Sequence, residues 1–305
     1  MAYLRVRPDC LIAPGLDAQK LDIMKTSKTQ GRRDVRSMAP NRDEYIASPL
    51  PIVRELQAIF DSAEELTMFD IGACEGEDAV RYARLFPNAV IYAVEPLPTN
   101  IARIHATLRH HRVENVRVVP VALSDSHGSA PLYVSSGHPD ELPVGEDWDY
   151  GNKSSSLLSP DRLKEVHPWL TFDNVIEVRT ATLADICEEV GVGRIDFIHL
   201  DVQGAELKVL AGAGDLMDHV TGVWLEVERI PLYRDQPLAS DVERFLRGRG
   251  FSKIKDTVGE ISGDQLWIRG TRHRSRLLWL RVLEVVARVW SSARSRWSNL
   301  RSASR

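Results

Sequence analysis

The chain has few cysteines and no long apolar run, and both absences limit what it can be. Its 305 residues include three cysteines, Cys10, Cys74 and Cys187, with no CxxC pair among them. This odd, scattered set argues against a disulfide framework or a zinc site and favours a reducing compartment. No run of 18 apolar residues predicts a spanning helix, and the first residues lack the apolar core of a secretory signal. The sequence therefore predicts a cytoplasmic protein.

Charge is distributed unevenly along the chain. The formal net charge is −4, but residues 271–305 hold nine arginines against one acid, Glu284, so they carry +8 and residues 1–270 carry −12. An acidic body predicts no binding to nucleic acid. The spacing of apolar residues in the tail predicts a basic amphipathic helix. Its apolar face would dock on its own domain, on another copy or on an anionic inner membrane surface, so self-association and peripheral membrane binding both stay open.

Between these ends, short apolar runs alternate with helical segments. The predicted strands are 67–71, 89–94, 116–121, 175–179, 196–200, 222–227 and 266–269, and the predicted helices are 78–85, 99–110, 183–189, 206–210 and 240–247. Uniformly apolar strands alternating with helices predict an α/β fold, a doubly wound and mostly parallel sheet. We expect an N-terminal arm (1–48), one domain (49–270) and a helical tail (271–305). Residues 136–172 are too long for an ordinary connection and predict a substrate-side insertion.

The most informative stretch is residues 68–86, MFDIGACEGEDAVRYARLF. A strand ends at Asp70, and Gly72 and Gly76 bracket a turn that opens a helix, so a ligand can approach the backbone and the free N–H groups of the helix. The spacing D-x-G-x-x-x-G differs from the dinucleotide fingerprint GxGxxG. One strand later, Glu95 stands where a carboxylate can accept ribose hydroxyl protons. The turn and the strand-end acid together predict a site for a nucleoside-containing cofactor.

With further blocks, these motifs resemble the FkbM family of methyltransferases. The matching blocks are DIGACEG (70–76), VEP (94–96), VALSD (121–125), LDVQGAE (200–206) with VLAGAG (209–214), and LEVE (225–228). The resemblance covers about residues 65–255 and implies a class I, Rossmann-like methyltransferase domain. It also implies S-adenosylmethionine (SAM) as cofactor and methyl transfer to a hydroxyl oxygen, often of a sugar or a natural product.

The resemblance further implies which residues bind SAM. The chain departs from the family pattern at Cys74, where asparagine is common, and at Gln203, where a second acid is common. The implied cofactor-binding residues are Asp70, Gly72, Ala73, Cys74 and Gly76 at the methionine, Glu95 and Pro96 at the ribose, and Ala122 and Ser124 at the adenine.

An alcohol acceptor has to be aligned and has to lose a proton. Asp201 follows a strand at the sheet edge where open α/β folds bind ligands, so we expect it to act as the base or to orient the substrate. Its alternative role is to cap the following helix. Glu226, with Glu228, ends the next strand, and His199 precedes Asp201. Glu226 and His199 are the further catalytic candidates, against the alternatives of a solvated acid and a core histidine.

The predicted insertion adds candidate contacts to the acceptor. His138, His167 and the polar run 152–156 (NKSSS) suit hydrogen bonds to a polyhydroxylated substrate, although loop composition alone often produces such a run. No metal is indicated, since no His/Cys cluster suggests zinc. A divalent ion such as magnesium stays open because it needs few protein carboxylates.

The predicted function is SAM-dependent O-methylation of a small molecule, a sugar or a glycosylated natural product. An NAD-binding oxidoreductase is the enzymatic alternative, against which the missing GxGxxG and Tyr-x-x-x-Lys patterns count. A non-catalytic SAM-binding or membrane-associated assembly protein is the alternative from another class, and the changes at Cys74 and Gln203 fit it.

Overall fold

The computed structural model describes residues 41–140, 142 and 147–270. The predicted arm up to residue 40 and the predicted helical tail, 271–305, lie outside the described residues. The strands are β1 (Thr67–Ile71), β2 (Val90–Val94), β3 (Val116–Val119), β4 (Ala122–Leu123), β5 (Gly128–Ser136), β6 (Thr171–Ala181), β7 (Ile195–Leu200), β8 (Val220–Glu228), β9 (Phe251–Asp256) and β10 (Ser262–Arg269). The helices are α1 (Arg42–Ala47), α2 (Val53–Ile59), α3 (Glu77–Leu85), α4 (Pro98–His111), α5 (Leu163–Val166), α6 (Leu183–Val190), α7 (Glu206–Gly212) and α8 (Ala239–Gly248).

Seven strands form the central sheet in the order β3-β2-β1-β7-β8-β10-β9. Neighbours from β3 to β8 pair in parallel, and β10 runs antiparallel to both β8 and β9. The predicted doubly wound, mostly parallel, Rossmann-like sheet is therefore confirmed. From β1 the chain adds β2 and then β3 on one side of the sheet, and it later crosses to β7 on the other side of β1. This change of direction opens a crevice beyond the carboxyl ends of β1 and β7, where such folds bind ligands.

Apolar clusters cover both faces of the central sheet, as its uniformly apolar strands require. Alternate residues of β1 point to opposite faces, so Met68 belongs to one cluster and Phe69 to the other. The Phe69 face packs under α6, α7 and α8, and the Met68 face packs under α2, α3 and α4. No helix among the described residues is long and apolar enough to cross a membrane.

A smaller sheet of three strands, in the order β4-β6-β5, lies apart from the central one. The predicted strand 175–179 belongs here, within β6, and not in the central sheet. The side chain of Val175 is 50% exposed, so the apolar residues of this strand did not predict its burial. β5 and β6 pair antiparallel from Gly128↔Thr180 to Ser136↔Thr171. The predicted insertion is therefore mainly the connection of a long hairpin.

Candidate active site

The turn after β1 requires glycine at its first position. Gly72 has a φ of +82°, and a Cβ there would lie 1.8 Å from the backbone oxygen of Asp201. The N–H groups of Gly72 and Ala73 both donate to the carbonyl of Val94 at 3.0 Å. Gly76 (φ +85°) is the N-cap of α3 and provides no side-chain cap. The turn thus holds the ends of β1, β2 and β7 close together and leaves the start of α3 without a side-chain partner.

Glu95, directly after β2, is a buried carboxylate on the pocket wall. Its Oε1 accepts from the Leu97 N–H at 2.8 Å and its Oε2 from the Cys74 N–H at 3.0 Å. Burial raises the pKa of Glu95 to about 7, although these two hydrogen bonds oppose the shift. The side chain is therefore fixed against the turn and titrates near neutral pH.

Asp70 and His199 form a buried pair at the base of the same pocket. His199 Nδ1 lies 3.1 Å from Asp70 Oδ1. Burial disfavours the charged imidazolium, but the carboxylates of Asp70, Asp78 and Asp201 outweigh it and raise the pKa of His199 to about 9. Burial raises the pKa of Asp70, and His199 partly offsets that shift. At neutral pH His199 is therefore protonated and unsuited to accept a proton.

Asp201 follows β7 and lines the pocket. Its backbone N–H donates to the carbonyl of Ile71 at 2.9 Å, and its Oδ1 accepts from Gln203 Nε2 at 2.8 Å. It does not cap α7, whose N-cap is Ala205. The Glu206 carboxylate instead accepts hydrogen bonds from two backbone N–H groups of the turn before α7, from Val202 at 3.0 Å and from Gly204 at 3.2 Å. The Asp201 carboxylate is thus left facing the pocket.

Gln203 joins the pocket to a buried acidic group. Its Nε2 donates to Asp201 and to Glu226 Oε2, both at 2.8 Å, and the Tyr233 hydroxyl lies 3.0 Å from its Oε1. Glu226 is 8% exposed and is absent from the pocket wall. Burial and the neighbouring acids raise the pKa of Glu226, and that of Glu228, well above the ordinary value. The amide of Gln203 therefore bridges the Asp201 carboxylate on the pocket wall and the buried Glu226 carboxyl group.

The connection between β5 and β6, called here the hairpin connection, packs against the turn after β1. Asn152 Nδ2 donates to Glu75 Oε1 at 3.1 Å and to Asn100 Oδ1 at 3.2 Å. Lys153 Nζ lies 3.4 Å from Glu77 Oε1 and 4.4 Å from the centre of the Trp148 ring. Because these side chains line the pocket, the predicted insertion contributes to the same site as the turn.

The first described helix, α1, contributes as well, although its residues fall within the predicted arm. Arg42 is 5% exposed and forms ion pairs with Glu75, with Glu77 at 3.4 Å and with Asp147 at 3.0 Å. Tyr45 lines the pocket. A six-residue helix, RDEYIA, is too short to show an amphipathic period, so the sequence carried no signal for either residue.

The pocket brings together most of the predicted site residues. Gly76 is not on its wall; a Cβ there would meet Ile104 at 3.2 Å, so this glycine serves helix packing. Ser124, His138 and His167 are also absent from the wall. The predicted residues on the wall are Asp70, Gly72, Ala73, Cys74, Glu95, Pro96, Ala122, His199 and Asp201, together with Asn152, Lys153, Ser155 and Ser156 of the predicted polar run.

One group of three metal-ligating side chains occurs within the described part of the chain, Asp43, His110 and His111. Asp43 and His110 are exposed, and none of the three lines the pocket. Arg84 Nη2 lies 2.9 Å from His111 Nδ1. Since arginine only donates, this contact puts the proton of a neutral His111 on Nε2, the nitrogen beside Asp43.

Comparison with known proteins identifies the family. The methyltransferase FkbM domain model matches residues 70–253. The 2-O-methyltransferase NoeI of Sinorhizobium fredii is 31% identical over 226 residues, covering 74% of this chain and 87% of that protein. The 31-O-demethyl-FK506 methyltransferase FkbM of Streptomyces tacrolimicus is 26% identical over 217 residues, covering 65% and 77%. Together with the sheet order and the pocket at its switch point, these matches show that the chain is a SAM-dependent methyltransferase of the FkbM family.

Proposed function

We propose that this enzyme methylates a hydroxyl oxygen of a sugar or of a glycosylated natural product, with Asp201 as the group that accepts or orients the hydroxyl proton. The observation that carries the proposal is the shared pocket. Asp201 lies on the same wall as Gly72 and Glu95, at the ends of three neighbouring strands. The names of the two relatives support oxygen as the acceptor atom, since both specify O-methylation.

The residues present fit SAM. Asp70 Oδ2 is buried on the pocket wall with no hydrogen-bond partner among the described residues, which suits the α-ammonium group of the cofactor. Glu95 would accept from the ribose hydroxyls, and Ala122 with Leu123 and Leu132 offers apolar contact to the adenine. Bound SAM supplies a methyl group on a sulfonium sulfur, and displacement by the acceptor oxygen leaves S-adenosylhomocysteine.

Asp201 is the candidate base that geometry and charge favour. His199 is already protonated at neutral pH. Burial and the neighbouring acids raise the pKa of Glu226, and this side chain is off the pocket wall. Gln203, by donating to Asp201 Oδ1, fixes the carboxylate in one orientation while leaving Oδ2 for the acceptor.

The acceptor side combines aromatic and polar groups. Tyr45 and Trp148 stand with ring centres 5.4 Å apart, and Ser155 and Asn152 line the same pocket. A sugar presents both C–H faces and hydroxyls, so an aromatic wall with a few polar groups suits it. This composition supports a polyhydroxylated acceptor over a purely apolar one.

The test is production of S-adenosylhomocysteine with a panel of sugar-containing and purely apolar alcohols. Asp201→Asn should lower turnover about 10²–10⁴-fold while SAM affinity, measured by calorimetry, stays unchanged. The matched control is Asp173→Asn, at an exposed acid of β6 away from the pocket. An EDTA-treated sample tests for a dissociable metal.

Two results would count against the proposal. Normal turnover in Asp201→Asn would remove Asp201 from the chemistry, and activity on apolar alcohols alone would remove the sugar assignment.

A further inference from the structure

We propose that Lys153 of the hairpin connection binds the α-carboxylate of SAM, so that this connection forms part of the cofactor site. The proposal rests on the use of SAM, which the family establishes, and not on the identity of the acceptor.

Lys153 is placed at the cofactor turn. Its side chain is 16% exposed, its Nζ lies 3.8 Å from Cys74 Sγ, and it lies 3.4 Å from Glu77 Oε1. Both neighbours belong to the turn or to the first residue of α3. The ammonium has three donors, and these two long contacts leave donors available for a stronger acceptor.

The charged groups on the pocket wall offer the carboxylate of an incoming ligand one strong partner, Lys153. Acids outnumber cations on the wall, and His199 is paired with Asp70. Among the described wall residues, Lys153 carries the only ammonium or guanidinium group. Glu77 does not occupy it fully, since Arg42 also lies 3.4 Å from the same oxygen. An anionic group entering this acidic pocket would therefore be held at Lys153.

Lys153 stays charged in the buried site. Burial would lower its pKa, but Cys74, Glu77 and Glu75 outweigh that effect and raise it. Cys74 contributes little at neutral pH, because burial raises the pKa of its thiol well above the ordinary value and keeps it protonated. The anions that hold the charge are thus the carboxylates of Glu77 and Glu75.

A second positive feature lies at the same end of the pocket. The nine-residue helix α3 begins after Gly76 with no side-chain cap, so its first N–H groups and its dipole favour an anion nearby. Cys74 and Glu77, the contacts of Lys153, flank this helix start. The ammonium and the start of α3 therefore lie together at the turn after β1.

The test compares SAM with decarboxylated SAM, which keeps the sulfonium and the amine but lacks the carboxylate. Calorimetry on the full chain should show that Lys153→Met binds SAM about 10–100-fold more weakly and binds decarboxylated SAM within about twofold of the wild type. Lys153→Arg keeps the charge and should retain most of the preference for SAM. The matched control is Lys164→Met, an exposed lysine of the same connection.

Three outcomes overturn the proposal. Equal losses for both ligands would mean that Lys153 only supports the turn. Unchanged SAM affinity with a higher KM for the acceptor would place Lys153 at the acceptor. Equal affinities of the wild-type protein for the two ligands would refute a carboxylate contact even if neither Lys153 variant folds. The calorimetric results do not depend on which alcohol is methylated, so they remain separable from a failure of the proposed function.

Discussion

Replacing Gly72 with alanine should destabilise the whole fold as well as the cofactor site. The added Cβ would lie 1.8 Å from the Asp201 carbonyl oxygen and 2.8 Å from its carbon, both backbone atoms of the residue directly after β7, the strand beside β1. Relief of this overlap requires the ends of β1 and β7 to separate, and overpacking of this kind costs about 1–3 kcal/mol. The left-handed φ of +82° adds about 1–2 kcal/mol for a residue with a side chain.

The sum, about 2–5 kcal/mol, is a large part of the stability of an ordinary domain. Two other glycines separate the cost of the positive φ from the cost of the steric overlap. Gly191 has a φ of +73° with nothing within 4 Å of an added Cβ, and Gly193 is equally open without a positive φ. We expect Gly191→Ala to lose about 1–2 kcal/mol and Gly193→Ala to lose nothing.

Urea unfolding of the three variants gives the comparison directly, provided that the m-value stays constant. SAM titration of the folded Gly72→Ala protein then reports the damage to the site. If Gly72→Ala loses no more stability than Gly191→Ala, the contact with Asp201 is not the constraint, and the argument from close approach fails.

Two further predictions concern protonation. The pKa of Glu95 is about 7. If SAM binds only the ionised form of Glu95, the affinity for SAM should fall about tenfold from pH 8 to pH 6, and calorimetry should find no such fall in Glu95→Gln. A wild-type affinity that does not change with pH would contradict the role of Glu95 in binding SAM. Because the pKa of folded His199 is raised to about 9, its pairing with Asp70 should stabilise the fold fully below about pH 6.5 and lose that effect as pH rises through about 9. The difference in free energy of unfolding between wild type and His199→Gln, measured by denaturation across this range, should shrink as the pH rises. A difference that stays constant would refute the ion pair.

The sequence was sufficient for the parallel strands of the central sheet and for the glycine turn after β1. Strands such as IDFIHL are apolar on both faces, so their pattern differs from that of every other element in the chain. Glycines at positive φ and a strand-end acid depend on local backbone geometry, which motif spacing records. These features are local, and each can be recognised from a short window of sequence.

The missed elements depend on tertiary contacts. β9, FSKIKD, lies at the sheet edge and is only partly buried, so no apolar run marks it. Asp201 and Glu226 look alike in sequence, each an acid at a strand end. Gln203 bonds both, yet Asp201 lies on the pocket wall and Glu226 does not, a difference that strand-end spacing does not encode. Tyr45 and Lys153 reach the site from segments far apart in the chain, and no local pattern encodes that proximity.

The ion pairs of Arg42 differ in burial, so they differ in what their separation would cost. Glu75 and Glu77 are nearly inaccessible, whereas the Asp147 side chain is 53% exposed. Water can replace Arg42 at Asp147 at little cost, while separation from the two buried carboxylates leaves charges without solvent. Helix α1 is therefore fixed to the turn after β1 mainly by the two buried pairs, and the pair with Asp147 adds little to that attachment.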